Sequence, residues 1–156
     1  MSTELTRDHM HETIARYYAG CNAADRAEMM ACFTPDAVHY FPPGTKSAPW
    51  HGADTIADKW VWCVKTLGSR WTLDRVLCQP ETDEAVVEWT HWRTEDGTYL
   101  RGDEWYVFDR ETGLITEIRA YFAAAWDPDV TKSEIPGFDY AARGYALTPP
   151  EDRDLD

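Results

Sequence analysis

The stretch YLRGDEWYVFDRETGLITEIRAYF, residues 99–122, reads as two β-strands joined by a tight turn. Trp, Tyr, Val, Ile and Phe fill both halves and suit a pleated, half-buried surface. Arg110-Glu111-Thr112-Gly113 is the turn, and so short a connection makes the two strands antiparallel neighbours. Strand side chains alternate faces. Leu100, Gly102, Glu104, Tyr106 and Phe108 therefore share one face, and Tyr99, Arg101, Asp103, Trp105 and Val107 the other. Both faces mix carboxylates with large apolar groups, so neither is a plain solvent face.

The same pattern extends upstream. Residues 70–78 and 84–94 also read as strands, with turns at residues 79–83 and 95–97. Before residue 70 the period changes. Met10, Ile14, Tyr17, Tyr18 and Cys21 fall at helical spacing, with Thr6 or Asp8 as cap. Asn22-Ala23-Ala24-Asp25 is a joint, and a short second helix turns Met29, Met30 and Phe33 inward. A short strand is expected at residues 37–41, stopped by Pro42, Pro43 and Gly44. A third helix is expected at residues 53–67, with Ile56, Trp60, Val64 and Leu67 on one face. Helices first and a strand meander after them is the order of an α+β domain. Residues 1–125 form that domain, and residues 126–156 a C-terminal extension, partly packed, with a mobile acidic end.

The net charge of −13 argues against nucleic acid or an anionic membrane as partner. The four cysteines are dispersed beside apolar residues without a CxxC pair and read as buried free thiols of a reducing compartment. The polar start MSTELTRDHMHE shows no signal peptide, and no apolar run approaches the ~20 residues of a membrane span. A cytoplasmic location is expected. His9 and His11 point to different sides of a helix, so no metal site is expected, and without a Gly-rich phosphate loop no nucleotide cofactor is expected either.

The segments IARYYAGCNAADRAEMMACFTPDAVHYFPPG, WHGADTIADKW and LRGDEWYVFDRETGLITEIRAYF together resemble the NTF2-like superfamily, in its SnoaL-like and ketosteroid-isomerase-like branches. The resemblance covers roughly residues 8–124. It implies a cone: three N-terminal helices packed on a strongly curved, mostly antiparallel sheet that encloses a pocket. It also implies a second subunit on the outer sheet face, hence a homodimer or homotrimer. In the isomerases a first-helix Tyr in an ARY sequence donates to the substrate oxyanion, and Tyr17 occupies that place. Glu104 falls where those enzymes carry a second, acidic donor. Phe41 stands where their base would be. The catalytic set of the limonene epoxide hydrolases would fall at Trp89, His91 and Ala120. Asn22 stands at the helix joint where SnoaL-type cyclases often place an acid.

Four residues are therefore candidates for catalysis. Glu104 lies among Tyr106, Phe108 and Trp side chains, where desolvation would make a carboxyl usable near neutrality. His91 lies between Trp89 and Arg93 on an inner strand face, and His39 shares a face with Phe41. Either could be a general base. Tyr17 is the oxyanion donor. The plainer alternatives are a surface ion pair for Glu104, structural histidines in an aromatic core, and an ordinary apolar-face Tyr. Asn22, Phe41, Trp50, Trp60, Trp89 and Phe122 are expected to bind substrate. His51 reads as a loop residue, and Arg101 and Asp103 as interface or intrastrand charge partners. The expected function is a cofactor-independent lyase or dehydratase, isomerase or cyclase, acting on a hydrophobic ring-bearing or aromatic molecule. The alternative is a non-catalytic module that binds a small molecule or a protein. Convergence of the ionisable candidates on one void would favour chemistry.

Overall fold

A computed structural model describes residues 4–42, 45–123, 132–133 and 138–151. Helix α1 (Arg7–Ala23) starts at Thr6, whose hydroxyl accepts from the His9 N–H. It stops where Ala24 turns left-handed and donates its N–H to the Cys21 and Gly20 carbonyls. Helix α2 (Arg26–Met30) follows at once, capped by the Asp25 carboxylate. Helix α3 (Ala53–Leu67) ends at Gly68, whose φ of 63° suits a residue without Cβ.

Among the described residues, seven strands form one sheet. They are β1 (Phe33–Tyr40), β2 (Trp50–His51), β3 (Ser69–Gln79), β4 (Glu84–Arg93), β5 (Thr98–Phe108), β6 (Ile115–Phe122) and β7 (Lys132–Ser133). The main order is β2-β1-β6-β5-β4-β3, with β7 beside β5. The meander β3 to β6 is antiparallel throughout, as its short turns require. β1 joins it in parallel against β6. Irregular register in β3, at the β5–β6 pairing and between Phe33 and Val38 bends the sheet. The fold is the expected α+β cone, with the helices closing the concave side.

The concave face holds the core. Met10, Ile14, Met29, Ile56, Tyr106, Ile115 and Ile118 are fully buried there. β1 begins at Phe33, four residues ahead of the expected start. Its irregular pairing around Pro35 hides the strand from a reading of alternation, since proline cannot donate to a ladder.

The convex face is covered in part by the chain itself. Residues 138–151 cross the outer side of β3, β4 and β5. Arg101 is buried beneath them, its guanidinium 4.1 Å from the Tyr140 ring and donating to the Ala146 carbonyl. Arg75 donates to the Arg143 carbonyl and Arg70 to the Pro150 carbonyl. The Tyr145 hydroxyl bonds Glu88. Arg101, expected at an interface or in an intrastrand pair, is thus engaged inside its own subunit. Asp103 and Trp105 on the same strand face stay exposed. The expectation of a mobile acidic end concerns residues 152–156, which lie outside the described residues.

Candidate active site

The curvature encloses a cavity of about 900 Å³. Its wall is a continuous aromatic band. Phe41 packs on Trp50 with ring centroids 4.4 Å apart, Trp50 on Trp60 at 4.7 Å, and Trp60 on Trp71 at 5.1 Å. Trp71 then stacks on His91 at 4.7 Å. These rings come from the residue after β1 and from β2, α3, β3 and β4, so the band exists only once sheet and helices meet. Trp89 and Phe122 add the far side. Gly102 makes room for Trp89: a Cβ there would sit 2.7 Å from the indole Cζ2.

Glu104 lines this cavity and is 6% exposed. Its strand neighbours are Val87 on β4 and Ala120 on β6, and the small Ala120 side chain leaves space beside the carboxyl group. Glu104 Oε2 accepts from the Tyr106 hydroxyl at 2.6 Å and from the Tyr18 hydroxyl at 3.2 Å. Oε1 lies 3.5 Å from His39 Nε2. Burial, reinforced by the Glu104 charge, pushes the Tyr18 and Tyr106 phenols well above their ordinary pKa, so both keep their protons.

His39 is fully buried, with Phe41 stacked on it at 4.1 Å. Its Nδ1 meets the Tyr40 carbonyl oxygen at 3.2 Å. A carbonyl can only accept, so Nδ1 carries the proton. Nε2 has no hydrogen-bond partner and is the nitrogen that faces Glu104. The carboxyl group and this imidazole lie side by side, with the Phe41 ring stacked on the imidazole.

His91 has another character. Its Nε2 is 2.8 Å from the Ser69 hydroxyl. Burial, with the Arg93 charge beside it, pushes its pKa down to about 3. It is a neutral part of the wall at ordinary pH.

Of the four residues expected to carry chemistry, Glu104 and His39 come together; Glu104 and His91 line the cavity, and His39 lies behind Glu104 without lining it. Tyr17 does not reach the lining. Its hydroxyl accepts from Trp60 Nε1 at 2.6 Å, which steadies the aromatic band. The next residue along the helix, Tyr18, reaches Glu104 instead. Among the expected binding residues, Phe41, Trp50, Trp60, Trp89 and Phe122 line the cavity. Asn22 does not. Its amide both donates to the Trp71 carbonyl at 2.7 Å and accepts from the Trp71 N–H at 2.8 Å, tying α1 to β3. Neither Tyr18 nor Tyr106 is among the site residues expected from the sequence. The even spacing of Glu104 and Tyr106 on one strand is a signal for the second; the first depends on helix phase.

Among the described residues, no three His, Cys, Asp or Glu side chains are grouped so as to hold a metal ion. No helix there is long and apolar enough to cross a membrane.

A family model for the SnoaL-like domain matches residues 14–118. The chain belongs to the SnoaL-like family. This SnoaL-like chain is also similar to solved NTF2-like structures. A protein of unknown function with a cystatin-like fold from Methylobium petroleophilum PM1 is 47% identical; the match covers 97% of this chain and 100% of that one, with a TM-score of 0.77. An NTF2-like protein of unknown function from Mesorhizobium loti shares 20% identity over 75% of this chain and 93% of its own, with a TM-score of 0.63. A candidate polyketide cyclase from Sinorhizobium meliloti shares 17% identity over 70% of this chain and 94% of its own, with a TM-score of 0.59. The last two establish the fold alone. No curated protein matches the SnoaL-like chain.

Proposed function

We propose that this SnoaL-like protein is a cofactor-independent acid/base enzyme acting on a hydrophobic, ring-bearing molecule. The class is that of an isomerase, cyclase, or lyase or dehydratase. The observation that carries the reading is the Glu104 carboxyl group on the lining of an aromatic cavity, backed by two phenol donors and a histidine from outside that lining. Two donors occupy Oε2, so Oε1 is the oxygen with capacity to spare. It takes a proton from an acidic C–H or O–H of the bound substrate. The same proton returns to another atom of the substrate, or passes to His39 Nε2 and back. Proton transfer by a placed carboxyl group accounts for roughly 10²–10⁴-fold in rate, and charge balances at every step without a co-reactant.

Exchange in deuterium oxide tests this. Ring-bearing ketones are incubated with the protein and followed by proton NMR. The expected result is deuterium at one carbon next to the carbonyl, lost in Glu104→Gln. Compounds that bind without exchange would favour a non-catalytic binding module.

A homodimer or homotrimer is proposed as the assembly, on the part of the convex face that residues 138–151 leave uncovered. Its support is a row across five strands. Tyr40, Arg119, Trp105, Val86 and Leu77 lie in mutual register from β1 to β3. Tyr40 and Trp105 are each 41% exposed and Leu77 is 71% exposed.

A further inference from the structure

The cavity is charged unevenly along its depth. The buried lining, Trp50, Trp60, Trp71 and Trp89, is aromatic, with Glu104 as its acid. Towards the solvent side the lining carries the exposed Lys46 and Asp58 and the half-buried Lys59. These charges are not equivalent. The Asp58 carboxylate is taken by Arg26, at 2.6 Å. Arg93, also on the lining, pairs with Asp96 at 3.1 Å. Among the described residues, Lys46 and Lys59 have no carboxylate partner.

The whole chain carries a net charge of −13. A field of that sign repels a small anion and would draw a cation into any opening. Two ammonium groups on the lining, without a carboxylate partner among the described residues, oppose that field locally. Thr45, Ser47 and Thr55 belong to the same lining, and their hydroxyls supply hydrogen-bond donors.

We propose that the substrate is a ring-bearing carboxylic acid, held with its ring system in the aromatic cavity and its carboxylate on the solvent side between Lys46 and Lys59. This deepens the acid/base reading and rests on the cavity being the substrate site. It also orients the substrate. The carboxylate stays at the wet end, away from Glu104, so the atom that loses a proton lies on the ring end.

The test uses 2-naphthoate and its neutral methyl ester, with quenching of the cavity tryptophans as the readout. The acid should bind the wild type roughly three- to tenfold more tightly than the ester, the range that two exposed ion pairs supply. Lys46→Gln with Lys59→Gln should abolish that preference while ester binding is kept. Added salt should shrink the preference in the wild type, because exposed pairs are screened. Equal affinity for acid and ester, or equal losses for both in the double variant, would overturn the proposal. So would absence of quenching by either probe at millimolar concentration. Failure here is separable from failure of the acid/base reading. Deuterium exchange on neutral ketones reports on Glu104 whichever way the acid-to-ester ratio falls.

Discussion

Glu104 Oε1 faces His39 Nε2 across 3.5 Å, while the other nitrogen of that ring is held by the Tyr40 carbonyl. The pair spans β5 and β1, which are not neighbours: β6 lies between them, and it contributes Ala120 beside Glu104. A larger residue at 120 would fill the space the carboxyl group uses.

Glu104→Gln keeps the shape and the capacity to accept from Tyr18 and Tyr106, and removes the ionisable oxygen. Proton exchange should fall roughly 10²–10⁴-fold, with ligand binding changed far less. A purely structural Glu104 would instead cost about 1–3 kcal/mol of stability through a weakened buried hydrogen bond, with exchange per folded molecule kept. Melting temperature and exchange rate measured on one sample separate the two. A folded Glu104→Gln protein with full exchange removes this residue from the mechanism.

The two phenol donors should not be equal. Tyr106 is at 2.6 Å and Tyr18 at 3.2 Å from the same oxygen. A hydrogen bond to a charged group contributes about 1.5–3 kcal/mol, and the shorter one more of it. Tyr106→Phe should therefore slow exchange and lower stability more than Tyr18→Phe does. Tyr17→Phe keeps the ring but removes the acceptor for the Trp60 N–H. It should lower the melting temperature with the exchange rate per folded molecule retained. Loss of exchange in a stable Tyr17→Phe protein would restore Tyr17 as a donor to substrate.

Much of this was legible in the sequence. Helix α3 lies at the expected 53–67, and the meander strands end within two residues of their expected bounds. Periodicity and turn chemistry are local, and they decide such elements. The site was harder because its contacts are distant. Tyr17 and Tyr18 both lie on the apolar side of α1, and only the approach of β5, 86 residues away along the chain from Tyr18, distinguishes them. Asn22 reads as polar at a joint, yet its partner is the backbone of Trp71, which no side-chain pattern announces. The covering of Arg101 by residues 138–151 was equally hidden, since it joins a strand to a segment without regular period.

His91 makes stability depend on pH. Its folded pKa is about 3 against an ordinary 6.5. The unfolded chain therefore binds a proton below about pH 6.5 that the folded chain refuses until about pH 3. Stability is whole above that window and falls as pH drops through it, by at most about 1.4 kcal/mol per pH unit for one group. His91→Gln keeps an acceptor for Ser69 and removes the titration. Urea midpoints at pH 7 and pH 4.5 should differ less in the variant than in the wild type. Equal differences would mean that His91 is protonated in the folded protein.

The row of Tyr40, Arg119, Trp105, Val86 and Leu77 bears on assembly. Tyr40, Trp105 and Leu77 are exposed on β1, β5 and β3, and the half-buried Arg119 and Val86 on the strands between join them into one row. Arg119 within it is already matched by Glu117, so the patch brings no unpaired charge to a partner. A second copy presenting the same row would bury Trp105 at the centre, where a large aromatic contributes most. The net charge of −13 on each chain opposes association, so raising salt should tighten the oligomer rather than loosen it. Analytical ultracentrifugation at micromolar concentration is expected to show a dimer or trimer, and Trp105→Asp a monomer with unchanged melting behaviour of its helices and sheet. A wild-type monomer under those conditions would refute the assembly, and would leave the exposed row to some other role.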